Sequence, residues 1–408
     1  MIEIIGQHNI HGKVNISGSK NTALPIICAS LLIKGKVKLK NVPNIGDVRN
    51  LIKILAYLNV DVEFKDNILK IDSTNIIYRE LKIEQVRKIR GSSYLMSVIL
   101  ALFNKVVMDF PGGCNIGDRS LDFHFEVFKK MGVQIFLSQD ISMKCDKFNG
   151  CTISFVKKSV GATINALILA GYCSKPVKIY RYSLEPEVIH TIEFLKKIGY
   201  RIHYMKDYLL VSYHRPYTKK YTYKIVEDRI EAISYALIGL SSKKLKLINV
   251  PHKELISFYE CLNQMGANYK IIKKKLIIKK SNLKPVNIVA STYPAFPTDA
   301  QPLIAALLST VDGTSKVVDT IFKDRFNYAN SLKAMGAKIT TDNGIIITGT
   351  KLSGAVVKGY DLRGVFALII AAISASGKTT ILDGETAKRG YEDLINKLIK
   401  IGVKIRYI

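Results

Sequence analysis

The fold prediction starts from Leu332-Lys333-Ala334-Met335-Gly336-Ala337-Lys338-Ile339-Thr340-Thr341, a stretch in which a helix ends and a strand begins. Phe322 to Gly336 carries apolar residues at helical spacing. Gly336 predicts the end of this helix, because glycine readily takes the left-handed conformation found at helix ends. Ala337 to Thr341 then alternates apolar and polar residues, which predicts a half-buried β-strand.

The same transition recurs six times, at intervals of 66 to 73 residues. Each repeat predicts an apolar helix rich in small residues, a turn, a β-branched strand, an amphipathic helix and a second strand. The six transitions are Leu58-Asn59-Val60, Met131-Gly132-Val133, Ile198-Gly199-Tyr200, Met265-Gly266-Ala267, Met335-Gly336-Ala337 and Ile401-Gly402-Val403.

The first helix of each repeat indicates an α/β fold with helices inside and sheets outside. Arg363 to Ser374, for example, is apolar on nearly every face, which is typical of a helix that is buried all round. Six βαβ-type repeats in two groups of three predict two globular lobes. The boundary is expected between repeats three and four, near Tyr221 to Asp228.

Length and composition indicate a globular protein of two or three domains. The chain has 408 residues, of which 48% are hydrophobic and 23% charged. Its longest apolar stretches, such as Ala23 to Ile33, are shorter than the roughly 20 residues of a membrane span. Residues 1–6 lack the pattern of a signal peptide. We therefore expect a cytoplasmic protein without membrane insertion.

Six cysteines occur, and no Cys-x-x-Cys pair or zinc-finger spacing of histidines is present. Five of them are expected to be reduced core thiols, namely Cys28, Cys145, Cys151, Cys173 and Cys261. Cys114 is the exception and is considered below. No metal site is predicted.

The formal net charge of +28 has two alternative interpretations. One is an anionic partner such as nucleic acid, a membrane surface or a polyphosphate ligand. The other is compositional drift in a chain rich in Lys, Ile, Asn and Tyr. Lysines such as Lys273 to Lys275 occur at turn-like positions without interleaved aromatic residues for base stacking, so drift is favoured and nucleic-acid binding is not predicted.

Two glycine-marked segments carry candidate functional residues. Gly18-Ser19-Lys20-Asn21 precedes the first buried helix, where a lysine, the helix dipole and backbone N–H groups can hold an anion. Pro111 to Arg119 contains three glycines around Cys114, and Arg119 follows five residues later. Access and nearby positive charge are what a reactive thiol requires. A surface lysine and an incidental cysteine are the alternative interpretations.

Pro294 to Asp299 opens the fifth repeat, and its prolines aim Asp299 at the start of a buried helix. Asp228 and Asp361 occupy the same place in repeats four and six, so a helix-capping role is reasonable for all three. Five arginines near helix starts or loops could instead form a clamp for phosphate and carboxylate groups: Arg90, Arg119, Arg325, Arg363 and Arg389. For any one of them, a solvated surface position is the alternative.

Together these motifs resemble the enolpyruvyl transferase family, and within it the members that act on UDP-N-acetylglucosamine. The resemblance covers essentially the whole chain and rests on seven motifs in the same order. They are Ile16 to Asn21, Pro111 to His124, Ser159 to Thr163, Asp228 to Glu231, Pro294 to Asp299, Asp361 to Arg363 and Arg389 to Glu392.

The resemblance implies two inside-out α/β barrel lobes of three repeats each. One would span residues 20–226 and carry the Cys114 loop; the other would combine residues 1–19 with 227–408 and carry Asp299. It also implies transfer of the enolpyruvyl group of phosphoenolpyruvate to the 3'-hydroxyl of UDP-N-acetylglucosamine, with release of phosphate and without a cofactor. That is the first committed step of peptidoglycan synthesis, which would link the protein to cell shape and division and make it a target of fosfomycin.

The resemblance further implies a role for each site residue. Lys20, Arg119 and Arg389 would hold phosphoenolpyruvate, with Asn21 beside them. Cys114 would act as the acid, and Asp299 would face the sugar 3'-hydroxyl. Arg325 and Arg363 would add positive charge. The UDP-sugar site would be lined by Arg90, Arg119, Ser120, Leu121, Asp122, Phe123, Lys157, Lys158, Ser159, Val160 and Ile321.

The chain departs from the family pattern at three positions. Ser120 stands where the family usually has proline, Asp118 places a carboxylate beside Arg119, and Leu184 replaces an arginine before Glu185. Three alternatives remain at this point. They are 5-enolpyruvylshikimate-3-phosphate synthase, which shares the fold and the donor, a nucleic-acid-binding protein, and an inactive scaffold.

Overall fold

The computed structural model describes residues 1–6, 9–113, 120–214 and 220–408, without the side chains of residues 213 and 214. Cys114, Asp118 and Arg119 therefore lie outside the described residues. The chain divides into two compact units. Lobe one comprises residues 18–113 and 120–226, and lobe two comprises Met1–Ser17 and Glu227–Ile408. The resemblance had placed these divisions after residues 19 and 226.

The chain begins with two strands of lobe two, β1 (Ile2–Ile5) and β2 (His11–Asn15). Lobe one follows with three repeats. The first contains α1 (Lys20–Ala29), β3 (Lys36–Lys40), α2 (Gly46–Tyr57), β4 (Asp61–Lys65) and β5 (Ile68–Asp72). The second contains α3 (Glu84–Lys88), α4 (Tyr94–Phe103), β6 (Lys105–Met108), α5 (Asp122–Lys130), β7 (Gln134–Leu137) and β8 (Ile141–Lys144). The third contains β9 (Thr152–Ser154), α6 (Val160–Ala170), β10 (Val177–Tyr180), α7 (Pro186–Lys197), β11 (Tyr200–Tyr204) and β12 (Tyr208–His214), and β13 (Tyr221–Lys224) closes the lobe.

Lobe two repeats the pattern. Repeat four contains α8 (Arg229–Gly239), β14 (Lys244–Ile248), α9 (Ile256–Gln264), β15 (Tyr269–Ile272) and β16 (Lys275–Ile278). Repeat five contains β17 (Ile288–Ala290), α10 (Gln301–Leu308), β18 (Thr314–Asp319), α11 (Tyr328–Ala334), β19 (Lys338–Thr341) and β20 (Ile345–Thr348). Repeat six contains β21 (Val356–Lys358), α12 (Leu362–Ser374), β22 (Lys378–Leu382), α13 (Leu394–Ile399) and β23 (Lys404–Tyr407).

Each repeat builds one sheet in which an antiparallel hairpin joins the strand that follows the buried helix. In lobe one the sheet orders are β13-β3-β5-β4, β6-β8-β7 and β11-β12-β10-β9. In lobe two they are β15-β16-β14-β2, β17-β18-β20-β19 and β21-β22-β1-β23. The edge strands β13 and β2 pair in parallel with β3 and β14, so these two sheets are equivalent in repeats one and four.

The predicted inside-out architecture is confirmed within each lobe. Every residue of α8 and α10 is buried, and so is α12 as far as Ile373. Strands instead alternate, as in β3, where Val37 and Leu39 are buried while Lys36 and Lys40 are exposed. Helices that are apolar all round thus form the core, and each sheet covers it with one face.

The six predicted transitions also adopt the expected backbone. Their middle residues all have positive φ, between 61° and 109°, although Asn59 replaces glycine in the first repeat. One boundary was wrong: the run from Phe322 is not helical at its start, and α11 begins at Tyr328. Asp319 accepts hydrogen bonds from the backbone N–H groups of Ile321 and Phe322, which holds this segment in a turn instead. Within the described residues, no helix is both long and apolar enough to cross a bilayer.

Candidate active site

Three aspartates open the buried helices of lobe two, and the structure separates them into two kinds. Asp228 caps α8 by accepting hydrogen bonds from Ile230 and Glu231 N–H, at 2.7 and 3.1 Å. Asp361 caps α12 in the same way, through Arg363 and Gly364 N–H. The capping role expected for Asp299 was wrong. Asp299 lies within a 3-10 turn (Thr298–Ala300) before α10, and its side chain points to two arginines.

Arg325 and Arg363 hold both carboxylate oxygens of Asp299. Arg325 Nη1 donates to Asp299 Oδ1 at 2.9 Å, and Arg363 donates to Asp299 Oδ2 from Nε at 3.2 Å and from Nη2 at 3.1 Å. Arg325 Nη1 also donates to Thr298 Oγ1 at 2.8 Å. The two arginine side chains are 4% and 1% exposed, whereas Asp299 is 28% exposed. The arrangement presents a carboxylate to solvent in a position fixed by two guanidinium groups.

Tyr391 and Asp361 complete the environment of these arginines. Burial alone would lower the pKa of Arg363, but Tyr391 and Asp299 hold that pKa above its usual value. Burial raises the pKa of Tyr391 to about 12, against the opposing effect of Arg363. The Tyr391 hydroxyl lies 2.8 Å from Ser234 Oγ. Arg363 therefore stays protonated and Tyr391 stays neutral at neutral pH, and Asp299 is the carboxylate of this cluster that reaches solvent.

A second buried network lies next to Arg389, the last residue of the 3-10 helix Gly384–Arg389. Lys397 Nζ donates to Glu231 Oε1 and to Ser17 Oγ, each at 2.7 Å. Ser17 Oγ donates to Glu392 Oε2 at 2.5 Å, and Ser17 N–H donates to Glu231 Oε2. Burial raises the pKa of Glu231, while Lys397 opposes that shift. The network ties α8, α13 and the residues after Arg389 together.

Ile321, predicted to contact the nucleotide sugar, is 38% exposed at the surface of lobe two. Asp319 at the end of β18 fixes this segment by accepting from Ile321 and Phe322 N–H, both at 2.9 Å. Burial raises the pKa of Asp319, and the two backbone donors oppose that shift. The apolar side chain of Ile321 is therefore presented outward by a carboxylate that is itself nearly buried.

In lobe one, the first buried helix begins at Lys20 and is capped by a neutral side chain. Ser19 Oγ accepts from Thr22 N–H at 3.3 Å. Lys20 Nζ lies 3.6 Å from Asp47 Oδ2, and Asn21 Nδ2 donates to Glu187 Oε1 at 3.4 Å. Lys20 is mostly buried. The carboxylates of Asp47 and Glu187 hold Lys20 and Asn21 in a fixed position at the positively polarised start of the helix.

Arg90, itself predicted to bind the nucleotide sugar, connects Pro111 to the predicted segment at Ser120. Its guanidinium donates to the carbonyl oxygens of Pro111 and Ser120, each at 3.3 Å. Ser120 Oγ accepts from Asp122 N–H at 3.0 Å, which supports the first turn of α5. The serine found in place of the family's proline therefore has a local structural role. Leu121 is buried, Phe123 half-buried and Asp122 exposed.

The other predicted nucleotide-sugar segment of lobe one, Lys157 to Val160, ends at the start of α6. Ser159 Oγ caps this helix by accepting from Ala162 N–H at 3.3 Å, and Lys157 and Lys158 are exposed just before it. His124 packs so closely that a Cβ on Gly161 would lie 2.8 Å from His124 Cε1. The buried His124 and Asn165 are also linked, at 2.7 Å between Nδ1 and Nδ2. Lobe one thus holds two predicted nucleotide-sugar segments side by side.

The five cysteines predicted as core thiols are free, and four of them are buried; Cys151 is half-buried. Burial raises the pKa of every one of these thiols, and it raises the pKa of Cys173 and of Cys261 to about 12. They are therefore protonated and unreactive at neutral pH.

Sequence reasoning missed three residues that position the site. Asp47 pairs with Lys20, Thr298 shares Arg325 with Asp299, and Lys397 holds the segment after Arg389. Asp47 follows Gly46, the first residue of α2, and Thr298 directly precedes Asp299, which are weak local signals. In the parts of the chain that the structure describes, no group of three or more His, Cys, Asp or Glu side chains could hold a metal ion.

Known proteins are similar to this chain along nearly its whole length. Residues 4–398 match the family model described as EPSP synthase (3-phosphoshikimate 1-carboxyvinyltransferase). The UDP-N-acetylglucosamine 1-carboxyvinyltransferase of Thermotoga maritima is 38% identical, over 98% of this chain and 96% of that protein. The Halothermothrix orenii protein of the same name is 36% identical, over 99% of each.

Solved structures show the same fold. The enolpyruvyl transferase NikO from Streptomyces tendae superposes with a TM-score of 0.91 at 21% identity, over 99% of this chain and 98% of NikO. EPSP synthase from Acinetobacter baumannii superposes with a TM-score of 0.78 at 18% identity, over 100% and 99% of the two chains. The chain therefore belongs to the enolpyruvyl transferase family.

Proposed function

We propose that the protein transfers the enolpyruvyl group of phosphoenolpyruvate to the 3'-hydroxyl of UDP-N-acetylglucosamine and releases phosphate. The observation that carries this proposal is the full-length similarity to relatives named for that reaction, at 36–38% identity. In the cell this reaction would take place in the cytoplasm, as the first committed step of peptidoglycan synthesis.

Asp299 is proposed to accept the proton of the 3'-hydroxyl as its oxygen attacks C2 of phosphoenolpyruvate. The two guanidinium groups favour the ionised carboxylate, which makes it ready to accept a hydrogen bond but a weak base toward an unactivated alcohol. The hydroxyl becomes acidic only as its bond to C2 forms. Proton transfer is therefore favoured late in the attack, when the transition state needs it.

Cys114 is proposed, from the family resemblance, to deliver a proton to C3 while the C–O bond forms at C2. That addition gives a tetrahedral intermediate that still carries the phosphate. Loss of one C3 proton and of phosphate from C2 then restores the double bond. The product is the enolpyruvyl ether of the sugar, and the atoms balance without a cofactor or metal.

The charged groups divide between the two substrates. Lys20, Arg119 and Arg389 are proposed to bind the phosphate and carboxylate of phosphoenolpyruvate, with Asn21 beside them. Arg90, residues 119–123 and 157–160, and Ile321 are proposed to bind UDP-N-acetylglucosamine. Arg325 and Arg363 act on Asp299, because they already donate to its carboxylate, and add no free charge of their own.

Product analysis tests this proposal directly. The protein is incubated with phosphoenolpyruvate and UDP-N-acetylglucosamine, and the product is examined by mass spectrometry and NMR. We expect an enolpyruvyl ether at O3' of the sugar and one phosphate per ether formed. A product substituted at another hydroxyl, or phosphate released without any ether, would show that the proposed reaction is wrong.

A further inference from the structure

The solvent-facing side of the sheet in repeat four is strongly basic. It is formed by β15, β16, β14 and β2, and their register places Lys270, Lys246 and Lys13 in one row across the strands. Lys244 lies next to that row, and Lys273 and Lys274 form the turn between β15 and β16. We call this the basic face. Lysines that are far apart in the sequence thus lie together on one surface.

Among the described residues, no carboxylate forms an ion pair with these lysines. The four strands contain no Asp or Glu. In the described part of the chain, no ion pair includes Lys13, Lys244, Lys246, Lys270 or any of Lys273 to Lys275. The positive potential of the basic face is therefore undiminished by local carboxylates.

The equivalent hairpin of repeat one shows that the fold does not require this charge. Residues 268–280 contain six lysines and no carboxylate, whereas residues 61–73 contain two lysines and four carboxylates. Counted from the transitions at Asn59 and Gly266, Lys270 occupies the position of Glu63, and Lys279 that of Asp72. In repeat one these carboxylates pair with Lys70, at 2.9 Å, and Lys36, at 3.7 Å.

Exposed apolar side chains on the same hairpin indicate which kind of anionic partner the basic face would bind. Ile272, on the same face of β15 as Lys270, is 40% exposed beside the turn lysines, and Ile271, which points to the other face at this sheet edge, is 43% exposed. The hairpin has no arginine, and its one aromatic residue, Tyr269, is half-buried and stacked on Tyr259. A nucleic acid would use arginine forks and stacking platforms. Lysines next to exposed isoleucines instead suit the boundary between anionic headgroups and acyl chains.

We propose that the basic face docks the protein on an anionic phospholipid bilayer. Lysine ammonium groups would neutralise headgroup phosphates, and Ile271 and Ile272 would enter the interface. Such an attachment is peripheral and electrostatic, so it should weaken with rising salt.

The test exchanges charges between the two equivalent hairpins. The variant Lys270→Glu, Lys273→Asp, Lys279→Asp places in repeat four the residues that repeat one carries, of which Asp66 has the same positive φ as Lys273. Binding of the full chain is measured by co-sedimentation with vesicles of phosphatidylcholine, with or without phosphatidylglycerol. We expect the parent protein to bind only the anionic vesicles, and the variant to bind them at least about 100-fold more weakly.

A control variant removes the same net charge elsewhere. Lys53→Glu, Lys129→Glu, Lys333→Glu changes three exposed lysines on separate helices, and we expect vesicle binding within about threefold of the parent. The variant Ile271→Ser, Ile272→Ser should bind about tenfold more weakly. Phosphate release by all three variants should equal that of the parent, which checks that they are folded.

Three results would overturn the proposal. The parent protein does not bind anionic vesicles, or the two charge variants lose binding equally, so that only net charge matters. Alternatively, the parent binds duplex DNA more tightly than anionic vesicles at the same salt and the hairpin variant loses that binding, which would make the basic face a nucleic-acid site.

Discussion

In each lobe, two of the buried helices have side-chain caps, and the caps of the two lobes differ in charge. In lobe one, Ser19 and Ser159 provide neutral hydroxyl caps. In lobe two, Asp228 and Asp361 provide carboxylate caps. A neutral cap leaves the positive end of the helix dipole available to an anion, while a carboxylate cap neutralises it. We therefore expect the helix starts of lobe one to bind phosphate and carboxylate groups, and Asp299 of lobe two to contact the hydroxyl as the base.

The largest expected effect concerns which thiol reacts. Burial raises the pKa of Cys173 and Cys261 from 9.0 to about 12, so below pH 9 their thiolate fraction is about a thousandfold lower than for an unshifted thiol. Fosfomycin at neutral pH should add once, at Cys114, and the buried thiols should begin to react only as the pH rises toward 12. Intact-protein mass spectrometry and peptide mapping make the measurement.

Two variants sharpen this expectation. Cys114→Ala should be nearly inactive and unmodified. Cys114→Asp should resist fosfomycin and keep activity, because a carboxylic acid can deliver a proton but traps an epoxide poorly. An adduct on Cys145 or Cys261 would contradict the assignment of Cys114 as the reactive group.

The next effect tests Asp299, the proposed base in lobe two. Asp299→Asn keeps the shape of the side chain but removes the proton acceptor, so turnover should fall at least about 100-fold while the Kd for UDP-N-acetylglucosamine changes by less than about fivefold. Asp324→Asn is the matched control, since this exposed carboxylate lies in the same connection as Arg325 and should leave turnover unchanged. Turnover of Asp299→Asn within about threefold of the parent would place the base elsewhere.

The neutral caps of lobe one can be converted to the type found in lobe two. Ser19→Asp should keep α1 capped, since Asp and Ser cap equally well, so the melting temperature should barely change. Its charge next to Lys20 should nevertheless raise the KM for phosphoenolpyruvate about tenfold. Ser19→Thr, a neutral cap, should leave that KM unchanged. If Ser19→Asp binds the donor as well as Ser19→Thr does, cap charge has no role in donor binding.

The same exchange at the second helix should have a smaller effect. Ser159→Asp should weaken UDP-N-acetylglucosamine binding about three- to tenfold, because the pyrophosphate is also held by other groups. Isothermal titration calorimetry measures this Kd, with Ser159→Thr as the control. Equal loss of phosphoenolpyruvate affinity in this variant would mean that the two helices do not serve separate substrates.

Much of the fold could be predicted from sequence because it depends on local, repeated signals. Glycine or asparagine at six transitions requires positive φ, and all-apolar helices require burial, so the repeats and the inside-out layers followed. The predicted start of α11 was wrong because Asp319 accepts hydrogen bonds from two backbone N–H groups and so forms a turn. Apolar spacing in the sequence does not reveal that turn.

The site was less accessible to sequence reasoning because its contacts join distant residues. The three aspartates that precede the buried helices of lobe two look alike in sequence. Only the positions of Arg325 and Arg363, 26 and 64 residues after Asp299, distinguish this proposed base from the two helix caps. The pairing of Lys20 with Asp47 likewise depends on how α1 packs near α2. The roles of individual site residues remain proposals that the variants above test.

The central claim is the identity of the acceptor. Steady-state phosphate release is measured with phosphoenolpyruvate and either UDP-N-acetylglucosamine or shikimate-3-phosphate, and the two values of kcat/KM are compared. The account predicts saturable release with UDP-N-acetylglucosamine and a kcat/KM for shikimate-3-phosphate at least about 1000-fold lower, since the segments around Arg90 and Ser159 are proposed to bind a nucleotide sugar. Comparable values for the two acceptors, or a preference for shikimate-3-phosphate, would contradict it.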